Sequence, residues 1–127
     1  MVTAIQNKHK FIGQKENFTH SLIGKLAANS MAPKENKEIP MKMKTFKILK
    51  PNELEYNKLE VLDIFLGYQN DVIAVIEGAA DMSLEKPKIV TAAGPILKMR
   101  LGDALHFMIA HNQRHALQAQ NVLKIIN

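Results

Sequence analysis

The residues with the clearest chemical potential lie near the C-terminal end, in the run His111-Asn112-Gln113-Arg114-His115. Histidines four apart on a helix differ by about 40° in direction and about 6 Å in height, so both imidazoles can converge on one cation. The zinc-protease pattern His-Glu-x-x-His is not met, because Asn112 stands where its Glu would be. His106 points about 140° away from His111 around the same helix and does not join the pair. His9 and His20 fall in segments of weak pattern and read as surface residues. Spacing alone also allows a plainer reading, in which His111 and His115 are hydrogen-bonded core residues.

Composition narrows the chemistry. The chain has no cysteine, which excludes disulfides, thiolate nucleophiles and thiolate metal ligands. A metal site must therefore use His and carboxylates. The 127 residues hold no Trp and seven aromatics, room for a single domain with an aliphatic, Met-filled core. Basic residues exceed acidic ones, 17 to 12, for a net charge of +5. Six of the lysines lie between Lys34 and Lys50, a stretch interrupted by Pro40 and flanked by Pro33 and Pro51. With Phe46 as its one stacking group, it reads as a solvated basic loop and not as a nucleic-acid surface. The opening residues MVTAIQNKHKF contain no apolar run of signal-peptide length, and no segment approaches a membrane span. The expectation is a cytoplasmic protein that binds neither nucleic acid nor membrane.

The elements that must position the histidines follow from periodicity. Residues 3–11 read as a short helix, the tail of a longer one, and residues 21–28 as one or two further turns. Residues 31–56 read as a long basic loop. Asn57-x-x-Glu60 has the form of a capping box, with Asn52-x-x-Glu55 as an alternative start. Val61, Leu62, Phe65, Leu66, Val72, Ile73 and Ile76 then recur at helical spacing, and this helix should stop near residues 78–81. Residues 82–97 read as loop, punctuated by Pro87 and Gly94-Pro95. The last helix runs from about Leu101 to Ile125, with Asp103 in its first turn and Lys124 in its last, as the helix dipole prefers. On it Ala104, Met108, His111, His115, Gln118, Val122 and Ile125 share one side, expected to face the core.

Leu101-Gly102-Asp103-Ala104-Leu105, followed by His111-x-x-Arg114-His115-x-x-Gln118, resembles the final helix of the DinB-like (damage-inducible, YfiT-like) metal-binding family. The resemblance extends upstream through residues 86–97, the preceding helix, residues 21–26 and residues 32–34, about 100 of the 127 residues. It implies an all-α fold, a DinB-like four-helix bundle, here incomplete at the N-terminus. It further implies one divalent cation of the Zn, Ni or Mn type, held by three histidines. Two of these match His111 and His115. The third belongs to the family's second helix, in a His-Leu phrase after a Trp-containing opening, and neither Trp nor phrase occurs here. The expectation is a single domain, residues 1–127, lacking the family's first helix and most of its second.

Two classes of function follow. The resemblance implies a metal-dependent thiol S-transferase or hydrolase, taking a low-molecular-weight thiol or another small molecule. Its metal site would be incomplete in this chain and its activity reduced or absent. Arg114 and Gln118 would then support the site, Arg114 by engaging an anionic substrate or bridging to a neighbouring helix, Gln118 by bonding a ligand imidazole. The alternative is a non-catalytic helical module that dimerises or binds a partner. Either way, the apolar seams on residues 61–76 and 104–125 need cover on more than one side, and a homodimer is expected.

Overall fold

The structure is a computed structural model, which describes Gly13, residues 17–36, Glu38, Ile39, Lys44, residues 57–91 and residues 94–126. These form helix α1 (Leu22–Met31), helix α2 (Lys58–Gly78), strands β1 (Lys88–Thr91) and β2 (Gly94–Arg100), and helix α3 (Leu101–Ile126). The fold is mostly helical with one small sheet. The helix expected over residues 3–11, His9 and the alternative start at Asn52 lie outside the described residues, as does most of the 31–56 loop.

Helix α1 is longer than the one or two turns that its sequence suggests. Ser21 is its N-cap, and its Oγ accepts the Gly24 N–H at 2.9 Å. At the other end the Ala32 N–H donates to the Ala28 carbonyl, and Pro33 follows. Tertiary packing holds the helix together: Ala28 and Met31 bury against Ala110 of α3. Helices α1 and α3 thus start side by side and run in the same direction.

Helix α2 begins where the sequence places it. Asn57 caps it, accepting the Leu59 N–H at 3.0 Å. It ends at Gly78, and the Ala79 N–H reaches the carbonyls of Val75 and Ile76. Its apolar side is largely open: Leu59 is 71% exposed and Phe65 55%.

Residues 88–100 correct the loop expected over 82–97. β1 and β2 pair antiparallel, with Ile89 opposite Met99, and an irregularity falls between Val90 and Thr91. Ile89 points into the core and Val90 out to solvent, the alternation that a half-buried strand requires. The core they join consists of Ala79, Met82, Ile89, Met99, Leu101 and Ala104. β2 passes into α3 without a loop. The first free N–H groups of α3 are taken by the loop before β1, Leu101 donating to Pro87 at 3.0 Å and Gly102 to Leu84 at 2.9 Å. Gly102 is needed here, since a Cβ would lie 2.6 Å from the Phe18 ring.

The buried side of α3 is also corrected. Asp103, Ala110, Arg114 and Leu117 are buried, whereas His115, Val122 and Ile125 are exposed. The expected seam lies about 90° around the helix from the face that packs, at ~100° per residue. Of that seam Ala104 is buried in the core, Met108, His111 and Gln118 are half-buried along the rim of the packed face, and the rest is exposed.

Candidate functional site

Two groups of side chains on α3 have chemical potential, and they sit on different parts of the helix. The first is the histidine pair. His111 and His115 point to the same side, and their Nε2 atoms are 2.9 Å apart with the rings nearly perpendicular at 85°. His111 is half-buried and stacks on Phe107, ring centroids 5.9 Å apart at 17°. Phe107 in turn packs against both core clusters, so the His111 ring rests on a fixed support. His115 is exposed, which corrects the expectation that both rings face the interior.

At 2.9 Å the pair has two chemical states. Without a cation, one Nε2–H donates to the other Nε2 lone pair. With a cation, both Nε2 atoms present lone pairs to it, each ~2.0–2.1 Å away, and a separation of 2.9 Å is compatible with two such bonds. The second state puts the proton of each ring on Nδ1. Nδ1 of His111 is buried and finds no hydrogen-bond partner among the described residues, so the acceptor that usually orients a ligating imidazole is not among them. Among those residues, no group of three His, Asp or Glu side chains is arranged to hold a metal. The donor set of this chain's described part is therefore two imidazoles.

Protonation opposes binding only in acid. Burial, followed by the charges of His115 and Arg114, lowers the His111 pKa below its ordinary 6.5. His111 is thus neutral at pH 7, as a ligand must be.

Arg114 is 5% exposed and lies on the side of α3 that packs on α1. It is buried in the fold and not open to a solvent-borne substrate, and its charge is felt at His111. Gln118 is half-buried, about 20° from His111 around the helix but two turns further on.

The second group was not anticipated from the sequence. Asp103 is 1% exposed and accepts four hydrogen bonds: from His20 Nδ1 at 3.1 Å, Ser21 N–H at 3.2 Å, Ser21 Oγ at 2.7 Å and Arg100 Nε at 3.1 Å. Burial raises its pKa, but the bonds from Ser21, Arg100 and His20 and the Arg100 charge outweigh this and hold it below the ordinary 3.8. Arg100 also donates to Glu85 Oε1 at 2.8 Å and to the Thr19 carbonyl at 2.6 Å, and lies over the Phe18 ring. One carboxylate thereby serves the positive ends of α1 and α3 together.

His20 belongs to this group and is not the surface residue expected. Its ring meets Phe18 edge-on at 4.9 Å and lies 4.4 Å from the ring of His106. His106 Nδ1 is buried without a hydrogen-bond partner among the described residues. Two local signals were legible: the Ser21-x-x-Gly24 cap and the Arg100-x-x-Asp103 pair. Nothing local indicates that they meet, since His20 and Asp103 are 83 residues apart. Every polar atom of Asp103 is engaged, so the group acts as a clasp between the residue 18–21 segment and α3. A concavity lined by Asn29, Ala32, Lys34 and Asn36 lies at the end of α1 and includes none of these histidines.

Comparison with protein-family models, curated proteins and solved structures finds no match for this chain.

Proposed function

We propose that this chain is a divalent-metal-binding helical protein of DinB-like type, with His111 and His115 as its ligands. The observation that supports the reading is the 2.9 Å approach of their Nε2 atoms on a helix whose His-x-x-Arg-His-x-x-Gln phrase resembles that family. In the bundle reading, α2 and α3 are the last two helices and the hairpin occupies their connection. A cation of the Zn, Ni or Mn type would supply Lewis acidity, which makes a bound thiol or water easier to deprotonate. The activity class is then thiol S-transfer or hydrolysis on a small molecule in the cytoplasm. This chain's residues do the holding: Phe107 supports the His111 ring, and burial, ahead of the charges of His115 and Arg114, favours its neutral form. No helix among the described residues is long and apolar enough to cross a membrane.

A second reading, a module that associates with a second copy of itself, draws on the open apolar side of α2. It is compatible with the first.

Calorimetric titration of the purified chain with Zn, Ni and Mn salts tests the metal reading. Binding should be lost or weakened at least about tenfold in His111→Ala and His115→Ala, and unchanged in His20→Ala. Equal affinity in all four proteins would refute it.

A further inference from the structure

The clasp at Asp103 leaves one basic atom facing water. Asp103 is ionised in neutral solution, so it can only accept hydrogen bonds. His20 Nδ1, 3.1 Å from Asp103 Oδ1, must therefore carry the proton of that bond. In the neutral ring the lone pair then falls to Nε2. The His20 side chain keeps 34% of its surface open, against 2% for Asp103. Its Nε2 makes no hydrogen bond to a described residue and is not shielded from water. The ring is held by more than the one bond: Phe18 meets it edge-on at 87°, and the His106 ring lies 4.4 Å away at a tilt of 41°. The carboxylate is itself fixed by the Ser21 N–H, Ser21 Oγ and Arg100 Nε. For the clasp alone an amide at position 20 would serve as well. An imidazole adds a directed lone pair on the water side.

We propose that His20 is a nucleophilic histidine, positioned by Asp103, that takes acyl groups from esters with good leaving groups and passes them to water. Neither His111 nor His115 takes part, so this site stands apart from the metal reading. In the first step the Nε2 lone pair attacks the acyl carbon. The C–N bond forms, the ester C–O bond breaks, and the leaving group departs with the bonding pair as its anion. The ring gains positive charge as the bond forms, and the Asp103 carboxylate at Nδ1–H stabilises that charge. Water then adds to the acyl carbon, the C–N bond breaks, the carboxylic acid leaves and one proton passes to solvent. Nε2 recovers its lone pair. His20 touches the substrate, whereas Asp103 acts through it: the buried carboxylate selects the tautomer and holds the ring.

The test uses the full chain with p-nitrophenyl acetate as the probe, in EDTA so that no cation contributes. Nitrophenolate release at pH 7.5 is followed by absorbance. His20→Gln should lower the rate at least about tenfold. Its amide can still donate to Asp103, so the clasp persists and circular dichroism should be unchanged. The His111→Ala/His115→Ala double variant should keep most of the wild-type rate. Long-range nitrogen–proton NMR of the wild type should show His20 in the Nδ1–H tautomer. In Asp103→Asn, whose amide can donate as well as accept, the tautomers should mix and the rate should fall. A His20→Gln protein within about twofold of wild type would overturn the assignment, as would a wild-type rate no higher than that of free histidine at equal concentration. So would a His20 ring in the Nε2–H tautomer, a result that does not depend on any variant folding. None of these outcomes bears on zinc binding by His111 and His115, which calorimetry tests separately.

Discussion

Replacing Asp103 with Asn changes one atom of a buried side chain and should cost this fold about 2–3 kcal/mol. The carboxylate has no spare capacity: Oδ1 takes His20 and the Ser21 N–H, and Oδ2 takes Ser21 Oγ and Arg100. The amide keeps one acceptor oxygen and puts an NH₂ where the other was, so two donors lose their acceptor whichever way the amide turns. A hydrogen bond to a charged group contributes roughly 1.5–3 kcal/mol. Arg100 keeps Glu85 and the Thr19 carbonyl, which limits the loss to this range and below the ~3–5 kcal/mol of a fully orphaned buried charge. For a domain of this size the loss corresponds to a fall in melting temperature of roughly 6–15 °C. Circular dichroism during heating and urea titration gives both quantities. Asp63→Asn, on the exposed side of α2, is the control and should stay within ~0.5 kcal/mol. The sign with pH follows from the lowered pKa of Asp103. Its contribution is complete above the unfolded value of 3.8 and is lost as pH falls below that through the folded value. Asp103→Asn should therefore remove the part of the acid transition that lies below about pH 4. A variant within 0.5 kcal/mol of wild type, with an unaltered acid limb, would refute the clasp.

Gly24→Ala sets a Cβ into the Asp103 carboxylate. The overpacking cost of ~1–3 kcal/mol should exceed the helix-propensity gain of about 0.5–1 kcal/mol, and urea denaturation should show net loss. His111 has a lowered pKa, so its unfolded form protonates first as pH falls below 6.5 and stability declines from there towards the folded value. Urea midpoints measured from pH 7.5 to 5 should show this decline, and His111→Gln should flatten it. Arg114→Met removes a charge that depresses His111, so a proton NMR titration should show the His111 pKa move upward; a downward movement would contradict the assignment.

The parts of the fold written in local sequence were legible. Asn57 marks the start of α2, and the termini of α3 fall within a residue of where periodicity and end charges place them. What was missed depends on distant partners. Helix α1 looks marginal because much of its support, Asp103 at its start and Ala110 along its side, comes from α3. The hairpin is obscured because its inward alternation is regular only over Lys88–Val90, before the irregularity between Val90 and Thr91, and Gly94-Pro95 reads as loop. The side of α3 was misjudged for a definite reason: its buried face contains Asp103 and Arg114, which a hydrophobic count assigns to solvent. The exposed stripe through Val122 and Ile125 is the more apolar one, so periodicity assigns it to the core. The same count puts His115 inside, whereas the convergence of the pair depends only on four-residue spacing and is legible from it. The role of His20 was beyond local reading altogether.

The central claim is that Nε2 of His111 and Nε2 of His115 bind the same cation. Long-range nitrogen–proton NMR of the imidazoles, recorded during a zinc titration at pH 7.5, tests it most directly. Both Nε2 resonances should shift together and saturate at the same zinc level, with both rings in the Nδ1–H tautomer and the His20 and His106 resonances unchanged. Shifts confined to His20 or His106, or a His111–His115 pair whose resonances stay unchanged through the titration, would contradict it.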